Sequence, residues 1–211
     1  MSINLIDKMA EPYKDFKMIS VREVASLFED NDISYAVIST NELCDFDGVI
    51  KATKRFDCIV DSNDLQRIKT AMAEHYPQLK EKKTAEGYNY SKENHTEINL
   101  ITNDNKLHRE ALDTRIKSDG IYVPEVNAML ALIFYITNSP EADFAETYYM
   151  LADFYKVVER NKNDINKSKL KKLADLIGGE NNLIEWVDCA LEDKVLPLEK
   201  MDRKMPITFK H

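Results

Sequence analysis

The chain has 211 residues, of which 44% are hydrophobic and 31% charged, and a formal net charge of −8. This length fits one sizeable domain, or a core domain with a smaller helical one. The acidic balance disfavours a protein that coats nucleic acid over its whole surface, although it leaves room for a local basic face.

The cysteines and the first residues bear on where the protein works. Cys44, Cys58 and Cys189 are far apart and form no CxxC pair, which favours reduced thiols over a disulfide framework or a zinc site. Residues 1–16 are too charged for a signal peptide, and no apolar run is long enough to span a bilayer. We therefore expect a cytoplasmic protein with no membrane partner.

Helices and strands alternate in the first part of the sequence. Ser20 with Glu23 forms a capping box at the start of an apolar helical stripe. Further elements follow from hydrophobic period and turn residues. They are strands at 34–39 and 55–61, a helix at 62–77, a hairpin at 86–102, a short helix at 108–116 and a short strand at 120–124.

After Pro124 the pattern is helical throughout, with apolar residues at 3.6-type spacing. Alternating strands and helices followed by helices alone predict an α/β fold: a mixed β-sheet flanked by helices, followed by a C-terminal helical region. We place the α/β core at residues 1–125 and the helical domain at 126–211.

Specific residues accompany this order. The segments YAVIST, ATKRFDCIVDSNDLQRI and TEINLIT occur in sequence, and the chain resembles the nucleotidyltransferase superfamily. The similarity is to its minimal members, related to the toxins of bacterial abortive-infection systems. That family has a strand ending in a glycine pair, a strand with T-K-D-x-D, and a third aspartate on a hairpin strand. The resemblance covers approximately residues 20–155.

The catalytic positions that the resemblance implies are altered in this chain. Arg55 stands at the first aspartate, Asp57 retains the second, and Asn99 stands at the third. By the same resemblance, the nucleotide-binding positions are Ser39 and Thr40, which replace the glycine pair, together with Thr53 and Lys54.

These replacements remove charge from the place where the family binds Mg²⁺. Two Mg²⁺ ions on a triphosphate require several carboxylate oxygens. Asp57 supplies one negative charge, which the permanently charged guanidinium of Arg55 would neutralise by pairing with it. We expect neither a bound metal nor a cofactor. The alternative, Mg²⁺ with a nucleoside triphosphate, would need acids elsewhere, such as Asp45 or Asp47.

Three functions remain open from the sequence. The first is a nucleotidyltransferase-fold protein without ordinary transfer, which binds a nucleotide, RNA or a protein partner. The second is an active nucleotidyltransferase with a rearranged Mg²⁺ site that modifies RNA or protein. The third is an acidic protein-binding or nucleic-acid-mimicking module. A basic stretch at residues 159–172 could contact a phosphate backbone, but it is also typical of a solvated helix face.

Overall fold

The computed structural model describes residues 19–38, 55–92, 95–139, 144–178 and 180–196. Helix α1 (Val21–Asp30) begins at the predicted capping box. The Glu23 backbone N–H donates to Ser20 Oγ at 3.1 Å, and the Ser20 N–H donates to Glu23 Oε2 at 3.0 Å. Two of the helix's otherwise unpaired donors are thereby satisfied. The apolar residues of the stripe are buried, as the sequence predicts.

A five-stranded sheet follows, with the strand order β1-β2-β5-β4-β3. Its strands are β1 (Tyr35–Val37), β2 (Arg55–Val60), β3 (Lys80–Lys83), β4 (Gly87–Lys92) and β5 (His95–Thr102). The β2–β5 pair is parallel and the other three pairs are antiparallel. The connection between β2 and β5 carries a short 3₁₀ turn, helix α2 (Leu65–His75) and the β3–β4 hairpin. The fold is therefore a mixed α/β fold.

The two faces of this sheet have different surroundings. On one face, alternate residues of β2, such as Phe56 and Cys58, are buried in an apolar cluster that contains residues of α1 and α2. On the other face, Ile59 and Ile101 belong to a second cluster, which the helices of the C-terminal region form. The apolar residues of β2 therefore alternate between two apolar clusters, one on each face of the sheet.

The remaining elements are helical except for one small ribbon. They are α3 (Lys106–Asp113), the antiparallel pair β6 (Ile116–Ser118) and β7 (Ile121–Val123), α4 (Val126–Thr137), α5 (Phe144–Arg160), α6 (Lys167–Ile177) and α7 (Glu180–Leu191). Trp186 lies between Phe134 and Phe154, with ring centroids 4.9 and 5.4 Å away. Ile59 and Ile101 of the sheet belong to the same apolar cluster as these three rings. The domain boundary proposed at residue 125 therefore stays a prediction.

Strands β3 and β6 are absent from the sequence prediction. All four residues of β3 are exposed, so they show none of the apolar alternation that reveals a strand. Residues Ile116 and Lys117 of β6 are also exposed. In the described ranges, no helix is long and apolar enough to cross a membrane.

Candidate functional site

Polar side chains form a row across the middle of the sheet. Asp57 of β2 is in register with Asn99 of β5, and Asn99 is in register with Asn89 of β4. The Asn99 side-chain amide donates to Asp57 Oδ1 at 2.7 Å. All three residues are half-buried. The structure thus brings together two of the three positions that the resemblance marks as catalytic.

The row lies on the face that bears the C-terminal helices, beside the part that they cover. Ile59 and Ile101 are one alternation further along the same two strands and are buried in the helical cluster. Asp57 and Asn99 therefore lie where the apolar contact between sheet and helices gives way to polar, partly accessible surface.

Arg55 precedes Asp57 by two residues, so its backbone position belongs to the same face of β2. Its register partner on β5 is Glu97. The side chains of Arg55 and Glu97 lie outside the described residues, and the predicted Arg55–Asp57 ion pair stays a prediction. The sequence pattern did not single out Asn89, which lies in this row, or Glu97, which lies in the next row towards the start of β5. Period-two alternation back from Asn99 would have reached Glu97.

The predicted nucleotide-binding residues Ser39, Thr40, Thr53 and Lys54 lie outside the described residues. So do Asp45 and Asp47, the acids that the active-enzyme alternative would require. Their predicted roles therefore stay predictions.

The described side chains of the row, those of Asp57, Asn99 and Asn89, do not by themselves provide the ligands of an ordinary two-metal centre. Mg²⁺ prefers several carboxylate oxygens in octahedral geometry, and a two-ion site shares them between two cations. Here the described neighbour of the Asp57 carboxylate on β5 is a neutral amide, which donates one hydrogen bond to Oδ1. Among the described residues, no group of three histidines, cysteines or acids is arranged to hold a metal.

The acids that follow β2 have local structural partners. Asp61 accepts a hydrogen bond from the Asn63 backbone N–H at 2.9 Å and so caps the 3₁₀ turn. Asp64 is buried, accepts the Ser34 N–H at 2.8 Å and pairs with Arg67. These contacts give both acids a structural role in the turn that connects β2 to α2.

Cys58 is unsuited to nucleophilic chemistry although it is adjacent to Asp57 in sequence. Its side chain is fully buried on the opposite face of the sheet. Burial raises the pKa of the Cys58 thiol well above its ordinary value, because a thiolate would be desolvated there. Cys58 therefore remains protonated and acts as a small core residue.

The basic stretch at residues 159–172 is partly used in structural contacts. Lys167 Nζ lies 2.6 Å from Asp188 Oδ1, and Lys169 Nζ lies 3.1 Å from Glu125 Oε1. Glu125 also accepts the Ala128 N–H at 2.9 Å and thereby caps α4. These ion pairs join α6 to its neighbours and favour the structural interpretation of these two lysines.

Comparison with family models and with curated proteins found no match to this sequence. Solved structures are similar in fold. The antibiotic-resistance factor ANT(2'')-Ia matches with a TM-score of 0.51 at 6% identity, over 82% of this chain and 93% of that chain. A nucleotidyltransferase-like protein from Paracoccidioides brasiliensis matches with a TM-score of 0.47 at 15% identity, over 83% and 92% of the two chains. JHP933 from Helicobacter pylori matches with a TM-score of 0.44 at 13% identity, over 96% of this chain and 87% of that chain.

The similarity to ANT(2'')-Ia supports the predicted fold class, a mixed β-sheet flanked by helices. At 6% identity it concerns the fold alone. Activity and ligand must therefore be argued from the residues of this chain.

Proposed function

We propose that this nucleotidyltransferase-fold protein binds a phosphate-containing ligand, a nucleotide or RNA, without carrying out ordinary metal-dependent nucleotidyl transfer. The observation that carries the proposal is the hydrogen bond from the Asn99 amide to Asp57 Oδ1. Asn99, a neutral donor, stands where the resembled family has a carboxylate. It donates to Asp57, the one acid of the family pattern that this chain retains.

The charge at the site supports binding without metal. Asp57 contributes one negative charge and Asn99 contributes none. Arg55, at the neighbouring position of β2, contributes one positive charge, and its register partner Glu97 contributes one negative charge. The sum of about −1 attracts a divalent cation less strongly than the three acids of the resembled family do. A guanidinium, in contrast, is a strong bidentate ligand for phosphate. In this proposal Arg55 contacts the ligand's phosphate directly, and Ser39, Thr40, Thr53 and Lys54 lie along the same ligand.

A second candidate is an active nucleotidyltransferase with rearranged acids. The observation that favours it is the register of Glu97, which is the direct partner of Arg55 and two residues from Asn99 on β5. Glu97 and Asp57 are thus diagonal neighbours on one face of the sheet. With Asp45 or Asp47 they would supply the carboxylates that Mg²⁺ and a nucleoside triphosphate require.

Thermal unfolding with a nucleoside triphosphate separates the two candidates. The proposal predicts a concentration-dependent rise in Tm with EDTA present, because ligand that binds only the folded state stabilises it. Arg55→Ala should remove the rise. Arg22→Ala is a matched control, since Arg22 is exposed on α1, on the opposite side of the sheet.

The opposite results have equally definite meanings. A rise that requires Mg²⁺ or Mn²⁺ and disappears in Asp57→Ala would favour the active enzyme, and label transfer from a radioactive triphosphate to RNA or protein would establish it. No nucleotide effect under any condition would overturn both candidates. The acidic protein-binding or nucleic-acid-mimicking module would then be tested by recovering a protein partner.

We also propose a cytoplasmic location, in keeping with the cysteine chemistry. Cys58 and Cys189 are both free thiols in the described part of the chain. Fractionation of cells that produce the tagged protein tests this location, and recovery with the membrane fraction would contradict it.

A further inference from the structure

The edge strand β3 presents two lysines on the same face of the sheet as Asp57. Lys82 is in register with Asn89, which is in register with Asn99. Lys80 is in register with Ser91, in the neighbouring row. Both lysines are exposed. A single polar row therefore runs from Asp57 through two asparagines to Lys82 at the edge.

The other face of β3 is already occupied by contacts with α2. Glu81 accepts hydrogen bonds from Tyr90 Oη at 2.8 Å and Lys69 Nζ at 2.9 Å. Lys69 also lies 4.3 Å from the centre of the Tyr88 ring. Because strand side chains alternate, Lys80 and Lys82 project away from these groups. Within the described part of the chain, neither lysine takes part in an ion pair.

The length of the row indicates the size of the ligand. Lys82 is three strand spacings from Asp57, a distance of about 14 Å at roughly 4.8 Å per strand. Lys80 and Lys82 are about 7 Å apart along β3, which is comparable to the separation of successive phosphates in an extended nucleic-acid strand. A mononucleotide held at Arg55 would leave both lysines without a phosphate.

We propose that Lys80 and Lys82 bind successive phosphates of a single-stranded nucleic acid whose end lies at the Asp57–Asn99 site. This rests on the proposed function, since it extends the ligand bound there from a nucleotide to a polynucleotide. The described residues of β4 and β5 that line the path, Asn89, Ser91 and Asn99, include no aromatic ring for base stacking. Contacts through the backbone alone give binding that is independent of sequence and sensitive to salt.

Lysines on an edge strand also have a structural role, because charge there prevents pairing with another sheet edge. Glutamates at the same positions would keep that protection while they repel phosphate. Lys80→Glu/Lys82→Glu therefore separates ligand binding from protection of the edge. Lys162→Glu/Lys172→Glu makes the same change in net charge on exposed residues in the 159–172 stretch and is the matched control.

The test is fluorescence anisotropy with a short labelled oligouridylate and its DNA counterpart, on the full chain with EDTA. We expect both to bind, more tightly than UTP. Lys80→Glu/Lys82→Glu should weaken binding of both and lower the slope of log affinity against log salt by about 1.4, or about 0.7 per lost phosphate contact. The Tm rise with UTP should not change, and the control variant should bind as the wild type does.

Three results would each overturn the inference. Oligonucleotide binding could be unchanged in Lys80→Glu/Lys82→Glu, or it could weaken equally in the Lys162→Glu/Lys172→Glu control. The Tm rise with UTP could also be lost in Lys80→Glu/Lys82→Glu together with oligonucleotide binding. Should the glutamate variant fail to melt cooperatively, Lys80→Gln/Lys82→Gln should show the same fall in slope. A UTP effect without oligonucleotide binding overturns this inference alone, whereas the absence of both also overturns the proposed function.

Discussion

Asn99 donates a hydrogen bond to Asp57 across two parallel strands, although the residues are 42 positions apart in sequence. An amide and a carboxylate are complementary at this distance, whereas two carboxylates would repel each other unless a cation lay between them. The pair therefore stabilises the folded state without metal. This property distinguishes the site from the three-acid arrangement of the resembled family.

The first prediction concerns the charge of this pair. Asn99→Asp should lower the free energy of unfolding by about 2 kcal/mol at neutral pH, since it replaces a hydrogen bond to a charged group with like-charge repulsion. Asn99→Ala, which loses the bond without adding charge, should cost less. Urea unfolding measures both. If Asn99→Asp were as stable as the wild type, a nearby cation would have to offset the repulsion between the two carboxylates.

A second prediction concerns recovery of metal binding. Arg55→Asp/Asn99→Asp places acids at all three positions of the family pattern, so Mg²⁺ should raise the Tm of this double variant. The wild type and Asn99→Asp alone should show no such rise, because Arg55 remains. Differential scanning calorimetry with and without Mg²⁺ provides the measurement. Adding Asp57→Asn to the double variant should abolish the gain, and a gain that persists would place the ion elsewhere.

The sequence predicts the strands that carry the site, but it does not predict how they pair. Period-two alternation predicts β2 and β5, and each contributes a polar residue to the site. No turn connects them, so nothing local sets their register, which determines that Asn99 rather than a neighbour faces Asp57. Strand β3 has neither a buried face nor an apolar pattern, and its pairing with β4 becomes visible only in the structure.

A third prediction concerns pH and the buried His108. Burial lowers the pKa of His108 from 6.5 to about 4, and its Nδ1 lies 2.8 Å from Asn105 Nδ2 and 3.2 Å from the Thr102 carbonyl oxygen. Between these two pH values the unfolded chain binds a proton that the folded chain does not. Stability should therefore fall as the pH drops from 6.5 towards 4, by about 3 kcal/mol at about 1.4 kcal/mol per pKa unit.

Urea unfolding across this pH range, compared between wild type and His108→Gln, measures the contribution. The variant should lose much less stability between pH 6.5 and about pH 5.5, where carboxylates with a lowered pKa, such as Glu125, are still almost fully ionised in both states. His75→Gln, at the exposed end of α2, serves as the control and should follow the wild type. Identical pH profiles for His108→Gln and the wild type would contradict the assignment.

A fourth prediction concerns the close approach of β4 and β5. A Cβ added at Gly87 would lie 2.0 Å from the Leu100 carbonyl oxygen, so Gly87→Ala must separate the strands next to the Asn89–Asn99 pair. We expect the free energy of unfolding, measured in urea, to fall by about 3 kcal/mol. At Gly120 no atom lies within 4 Å, and Gly120→Ala should cost about 1 kcal/mol, from its φ of +84° alone. Equal costs would contradict the close approach.

The last prediction concerns the core that joins sheet and helices. Trp186 packs edge-on against Phe134 and Phe154, and the same apolar cluster contains Ile59 and Ile101 of the sheet. Trp186→Ala should cost about 4 kcal/mol, because it leaves a large cavity. Since the cluster spans both parts of the chain, we expect one cooperative transition for sheet and helices, at a lower denaturant concentration than in the wild type.

Thiol labelling in urea makes the two parts separately visible. In a Cys44→Ser/Cys189→Ser background, the remaining Cys58 is buried between the sheet and the first two helices and reacts only when the sheet opens. Its labelling in the Trp186→Ala variant should coincide with the loss of helical circular dichroism. Loss of helix signal while Cys58 stays protected would instead mean that residues 126–211 unfold as an independent domain, because the sheet would then keep its structure without them.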